Sequence, residues 1–132
     1  MLRGIFGLVL GFSICAGSLA QAADNTLSVF FDPGSASLSS DALTVLDTAA
    51  RTYRDGKPIV MVVSGGTDST GPAGMNLRLS QMRAQAVLNG LVARGIPIER
   101  FQLLAKGETE PAVNAPTGTP EAKNRKVDIS WR

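Results

Sequence analysis

Apolar and polar positions follow two rhythms along this chain. From Thr26 to Phe31 they alternate, with Leu27, Val29 and Phe31 on one face, which predicts a short strand. Asp32-Pro33-Gly34-Ser35 breaks it. From Asp41 to about Arg54 the apolar positions Ala42, Val45, Leu46, Ala49, Ala50 and Tyr53 follow helical spacing, and Ser39 or Ser40 can cap that helix. Asp55-Gly56-Lys57-Pro58 ends it. Ile59 to Val63 is a continuous apolar run with three valines, read as a central strand buried on both faces. A glycine-rich loop from Gly65 to Gly74 leads into a longer helix from Met75 to Ala93 or Arg94, closed by Gly95 and Pro97. Phe101 to Ala105 and Val127 to Trp131 read as strands, separated by a loop with three prolines between Gly107 and Pro120. The order is β-α-β-α-β-β. Strands separated by helices predict parallel crossovers, and the last two strands can pair in either sense.

The first 22 residues stand apart from this pattern. Arg3 supplies one positive charge, an apolar stretch runs from Ile5 to Cys15, and small residues end in Ala20-Gln21-Ala22. This is the plan of a secretory signal peptide over residues 1–22, leaving residues 23–132 as one domain. A membrane anchor is the alternative, but glycines and serines dilute the run. Ile14 stands before Cys15 where a lipidation site needs a small residue. Either way the remainder is expected outside the cytoplasm, in the periplasm or cell envelope and in reach of the outer membrane.

Composition removes whole classes of chemistry. The chain has no His and one Cys, which falls in the signal segment. Histidine bases, Ser-His-Asp and Cys-His nucleophiles, intramolecular disulfides and His or Cys metal sites are excluded, and neither cofactor nor metal is expected. Lys+Arg is 13 against 11 Asp+Glu, and loss of Arg3 leaves the exported part nearly neutral. That balance, with aromatics at 5%, argues against nucleic acid as a partner.

Three features carry candidate chemistry. The loop Gly65-Gly66-Thr67-Asp68-Ser69-Thr70-Gly71 follows a buried strand and precedes a helix, where phosphate loops occur. Pro72 stands where such a loop needs Lys, and Asp68 would repel a phosphate. Asp68 suits a ligand ammonium, or else it only closes a tight turn. On a 100° wheel, Leu79, Met82, Ala86, Val87 and Gly90 make the long helix's apolar stripe, and Arg78, Gln81, Gln85 and Asn89 its solvated face. Arg83 and Asn76, seven residues apart, fall inside the stripe. An arginine there must meet an anion, pair a carboxylate such as Asp32 or Asp128, or snorkel. Lys123-Asn124-Arg125-Lys126, ahead of the last strand, reads alone as a solvated or edge-protecting run.

Taken together these residues resemble the OmpA-like peptidoglycan-binding domains. Gly65 to Gly71 resembles that family's G-H-T-D-x-x-G loop, Asn76 to Ser80 its N-x-x-L-S, and Arg83-Ala84 its R-A. Gly107-Glu108-Thr109-Glu110-Pro111 is similar to G-E-x-x-P, Asn124 to Asp128 to N-R-R-V-E, and Phe30 to Leu38 to the family's opening strand and turn. The resemblance runs from about Leu27 to Trp131.

It implies an α+β fold, one mixed sheet packed against two helices, and a non-catalytic role. The implied partner is peptidoglycan, held at the meso-diaminopimelate of its peptide stem. Asp68 would pair the ammonium and Arg83 the carboxylate. Thr70 and Asn76 would hydrogen-bond the ligand, and Arg125 would close the site. The chain departs from the family at Gly66, where His is usual, and this predicts a looser wall. Pro120-Glu121, Lys126 and Ala105 also depart. An alternative is a protein-interaction module of an envelope complex that has lost cell-wall binding, which Gly66 favours. An enzyme lacks a second carboxylate at a recognisable spacing.

Overall fold

The computed structural model describes residues 25–58 and 60–132. The expected signal peptide, residues 1–22, lies outside them, as does Ile59. The elements are β1 (Thr26–Phe30), α1 (Ser40–Gly56), β2 (Met61–Gly65), α2 (Ala73–Ala93), β3 (Phe101–Ala105) and β4 (Lys126–Trp131). Short 3-10 turns precede β3 and β4.

Local chemistry sets the helix ends. Ser39 caps α1, its Oγ accepting from the Ala42 amide at 3.1 Å. At the other end Lys57 takes the left-handed conformation (φ 45°), and its amide donates to the Tyr53 carbonyl. Pro58 disfavours the right-handed helical region for the residue before it. Gly95, at φ 100°, turns the chain out of α2.

The four strands form one mixed sheet in the order β1-β4-β2-β3. β4 is antiparallel to both β1 and β2, and β3 lies parallel to β2. This corrects one expectation, because the last two strands do not pair. β4 instead inserts between β1 and β2, where Val127 and Ile129 are fully buried. β3, whose side chains are only partly covered, takes the edge. β2 does sit centrally, with Met61 and Val63 in the core and Val62 nearly covered on the far face.

Both helices pack on one face of the sheet. Leu46, Ala49 and Ala50 of α1 meet Val87 and Leu91 of α2 over Val29, Val63, Val127 and Ile129. Each fully buried Leu, Val or Ile side chain here contributes roughly 1.5–3 kcal/mol. The opposite face is polar at its centre, where Asp128 accepts from Ser28 Oγ at 2.7 Å and pairs Lys126 at 3.0 Å.

The buried stripe of α2 differs from the wheel's. It runs through Asn76, Ser80, Arg83, Ala84, Val87, Leu88 and Leu91, whereas Met82 is exposed and Leu79, Ala86 and Gly90 are half-covered. The reason is the close approach of β2. A Cβ on Gly65 would overlap the Ser80 carbonyl, so small and polar residues face the sheet there. Ser80 Oγ in turn accepts from the Gly107 amide at 2.9 Å.

Strand direction places the loops. β1, β2 and β3 all run one way and β4 the other. The segments after β1, β2 and β3, and the turn before β4, therefore gather at one pole, beside the start of α2.

Candidate functional site

Four segments meet at that pole and are laced by main-chain bonds. The Gly66 amide donates to the Lys126 carbonyl at 2.9 Å, and the Thr67 amide to the Gly107 carbonyl at 2.8 Å. Asp32 to Ser35 closes a tight turn, the Ser35 amide bonding the Asp32 carbonyl at 3.1 Å with Gly34 at φ 67°.

Asp68 sits in this lacework, buried and fully bonded. Its Oδ1 accepts from the Thr70 hydroxyl at 2.7 Å and the Thr70 amide at 3.3 Å. Its Oδ2 accepts from Arg125 Nη1 at 3.0 Å and the Glu121 amide at 3.2 Å. Burial pushes its pKa up, but the bonds from Thr70, Arg125 and Glu121 outweigh it and hold the carboxyl below its ordinary value. Asp68 is an anion at neutral pH.

Arg83 is the largest fully buried side chain among the described residues. It meets neither of the carboxylates that its position in the sequence suggests. Nε donates to the Ser35 carbonyl at 2.8 Å, Nη1 to Gly66 at 3.1 Å and Nη2 to Asp32 at 3.0 Å. The guanidinium also lies 5.2 Å from the centre of the Phe31 ring. One planar fork thus ties the β1–α1 turn to the β2–α2 loop. Burial pulls its pKa down, the charge of Asp68 raises it, and Arg125 lowers it further. No carboxylate among the described residues is hydrogen-bonded to this buried cation.

Asn76 Nδ2 donates to the Gly71 carbonyl at 3.0 Å and to Glu108 Oε1 at 2.9 Å, which fixes the loop against the start of α2. Asp68, Thr70, Asn76 and Arg83 line one cleft of about 350 Å³. Arg125 does not line it. It stands behind Asp68, holding Phe31 O through Nε at 3.1 Å, and faces a separate groove along β1 and α1.

The expectation of a looser wall at Gly66 is not met. A Cβ there would make ordinary contacts with the carbonyls of Asn124, Lys126 and Gly107, at 3.4, 3.6 and 3.8 Å. Gly66 lines a shallow hollow with Lys106 and Thr109 and does not line the cleft. Met75, Arg78, Leu79 and Met82 do line the cleft, although the wheel puts Arg78 in solvent and Met82 in the core. The signal that finds them is the Asn76–Arg83 face itself, since residues flanking it on α2 must border whatever Arg83 borders. Among the described residues no group of His, Cys, Asp or Glu could hold a metal, and no helix is long and apolar enough to cross a membrane.

Comparison with known proteins finds relatives of the same fold. Residues 30–125 match the OmpA family. The probable lipoprotein YiaD of Escherichia coli is 31% identical over 118 residues, 86% of this chain and 54% of that protein. The chain thus spans about half the length of that relative. The peptidoglycan-associated lipoprotein of Pseudomonas putida is 31% identical over 116 residues, 86% of this chain and 69% of the relative. The crystal structure of the peptidoglycan-associated lipoprotein from Burkholderia pseudomallei superposes with a TM-score of 0.73 at 27% identity, covering 80% of this chain and 89% of that one.

Proposed function

The chain belongs to the OmpA family, and from that premise we propose that it is a non-catalytic peptidoglycan-binding domain of the cell envelope, exported by a signal peptide at residues 1–22. Its ligand is the peptide stem, held at the meso-diaminopimelate side chain, which ends in an ammonium and a carboxylate. Asp68 takes the ammonium and Arg83 the carboxylate. The observation that carries this reading is Arg83, a fully buried cation at a cleft wall with main-chain carbonyls but no carboxylate bonded to it. Burying a charge without a counter-ion is costly, and an anionic group arriving in the cleft offsets that cost.

Asp68 already has a donor on each lone-pair direction. Thr70 is its exposed partner, so the Thr70 hydroxyl is the one that an incoming ammonium displaces. Asn76 holds the loop and the helix start in register for both contacts. Arg125 acts from behind, keeping Asp68 ionised and aimed. The names of the relatives from Pseudomonas putida and Burkholderia pseudomallei support the ligand class.

The test is sedimentation of residues 23–132 with purified sacculi, with and without free diaminopimelate as competitor. The domain should pellet with sacculi and be released by the competitor, and Asp68→Asn should stay in the supernatant. Pelleting that diaminopimelate does not relieve, or that Asp68→Asn retains, would discard the assignment.

A further inference from the structure

The face that α2 turns to the cleft has a pattern that the diaminopimelate contact leaves unused. Arg83 stands at one border of this face and Arg78 at the other, with Leu79 and Met82 between them and Met75 one turn ahead. The two arginines are five positions apart, about 7.5 Å along the helix axis. Met75 and Met82 are 61% and 54% exposed, so the strip between the cations is apolar and open. Arg78 is exposed and forms no hydrogen bond or ion pair among the described residues.

The charged side chains lining the cleft are unbalanced, one acid, Asp68, against two bases, Arg83 and Arg78, neither of which has a bonded carboxylate among the described residues. A ligand that brings one ammonium and one carboxylate does not change that excess. A ligand with a second carboxylate, set apart from the first by an aliphatic stretch, does. In the peptide stem the diaminopimelate arm is such a stretch, and the residue before it is a D-glutamate linked through its side chain, whose α-carboxylate is free.

We propose that Arg78 is a specificity-determining residue that pairs this free α-carboxylate, while Met75, Leu79 and Met82 cover the aliphatic arm between the two anionic groups. The inference rests on the diaminopimelate reading above. It makes the domain a reader of two consecutive stem residues, and one that discriminates against stems whose glutamate carboxylate is amidated. Arg78's guanidinium is suited to this, since its planar fork meets a carboxylate in two parallel bonds.

The experiment titrates the domain with three soluble muropeptides. One carries both free carboxylates, one is amidated at the glutamate α-carboxyl, and one is amidated at the diaminopimelate side-chain carboxyl. Wild type should bind the first about fivefold more tightly than the second, the scale of a partly exposed charge pair. Arg78→Gln should bind the first and second alike while still rejecting the third. Its exposed, unbonded position keeps the fold out of the result, which a thermal melt checks. Equal binding of the first two stems by wild type, or a preference that survives in Arg78→Gln, overturns the role of Arg78 alone. Binding of the third stem as tightly as the first, or no binding of any stem, overturns the diaminopimelate reading and this inference with it.

Discussion

Arg83 joins two functions in one side chain. Its fork satisfies three carbonyls from two loops, and its charge is left for a ligand. Arg83→Ala should therefore destabilise the domain by about 2–5 kcal/mol, because three buried acceptors lose their donor and a large side chain leaves a cavity. Arg83→Lys keeps the charge but not the fork, so urea titration should place it between wild type and Arg83→Ala. Asp68 has the opposite balance, since its bonds come to it from the loop and the β4 turn. A carboxyl held below its ordinary value of 3.8 stabilises the folded state above that value. It loses that contribution only as pH falls through the lowered folded value. The stability difference between wild type and Asp68→Asn should thus be constant from about pH 7 to 5 and shrink below about pH 4. A difference that instead grows as pH falls from 7 to 5 would mean a raised pKa.

At the scale of elements, one contact sets how β2 and α2 meet. Gly65→Ala would push a methyl into the Ser80 carbonyl, which is backbone and cannot turn aside. It should cost about 1–3 kcal/mol and loosen the Ser80–Gly107 bond, seen as a lower thermal midpoint and faster exchange of the Gly107 amide. Periodicity locates every strand and helix to within two residues, because each buries a face with its own repeat. Sheet order is not written in that repeat. Whether β4 pairs β3 or slips between β1 and β2 is decided by where Val127 and Ile129 become fully buried, which is a long-range matter. The wheel of α2 misleads for a related reason. It sets Asn76 and Arg83 inside the stripe but also Met82, which is exposed, and it leaves out Ser80, which is buried by what it bonds to. Asp68, Asn76 and Arg83 are legible as a set through the family's ordered motifs. The carbonyls of Asp32, Ser35 and Gly66 are not, since an acceptor on the main chain leaves no mark on residue type. Arg78 is hidden too, because an exposed arginine on a helix looks like any other until the cleft beside it is seen.

The whole molecule has two unlike poles. Cleft, loops and every candidate ligand contact gather at one, while the chain arrives at Thr26 and departs after Trp131 at the other. Residues 23–132 are nearly neutral, so long-range attraction to an anionic polymer is weak and the proposed recognition rests on the cleft. The edge position of β1 then has a mechanical consequence. If anything joined ahead of Thr26 is held while the cleft grips a polymer, tension enters through the first residue of β1 and leaves through the loops at the far pole. It runs along the axis of β1, at right angles to the hydrogen bonds that join β1 to β4 from Thr26↔Ser130 to Phe30↔Lys126. Such a pull loads those bonds in shear, all together, rather than unzipping them one by one from an end. An edge strand would peel easily if pulled sideways. Drawn lengthwise, it resists as a unit.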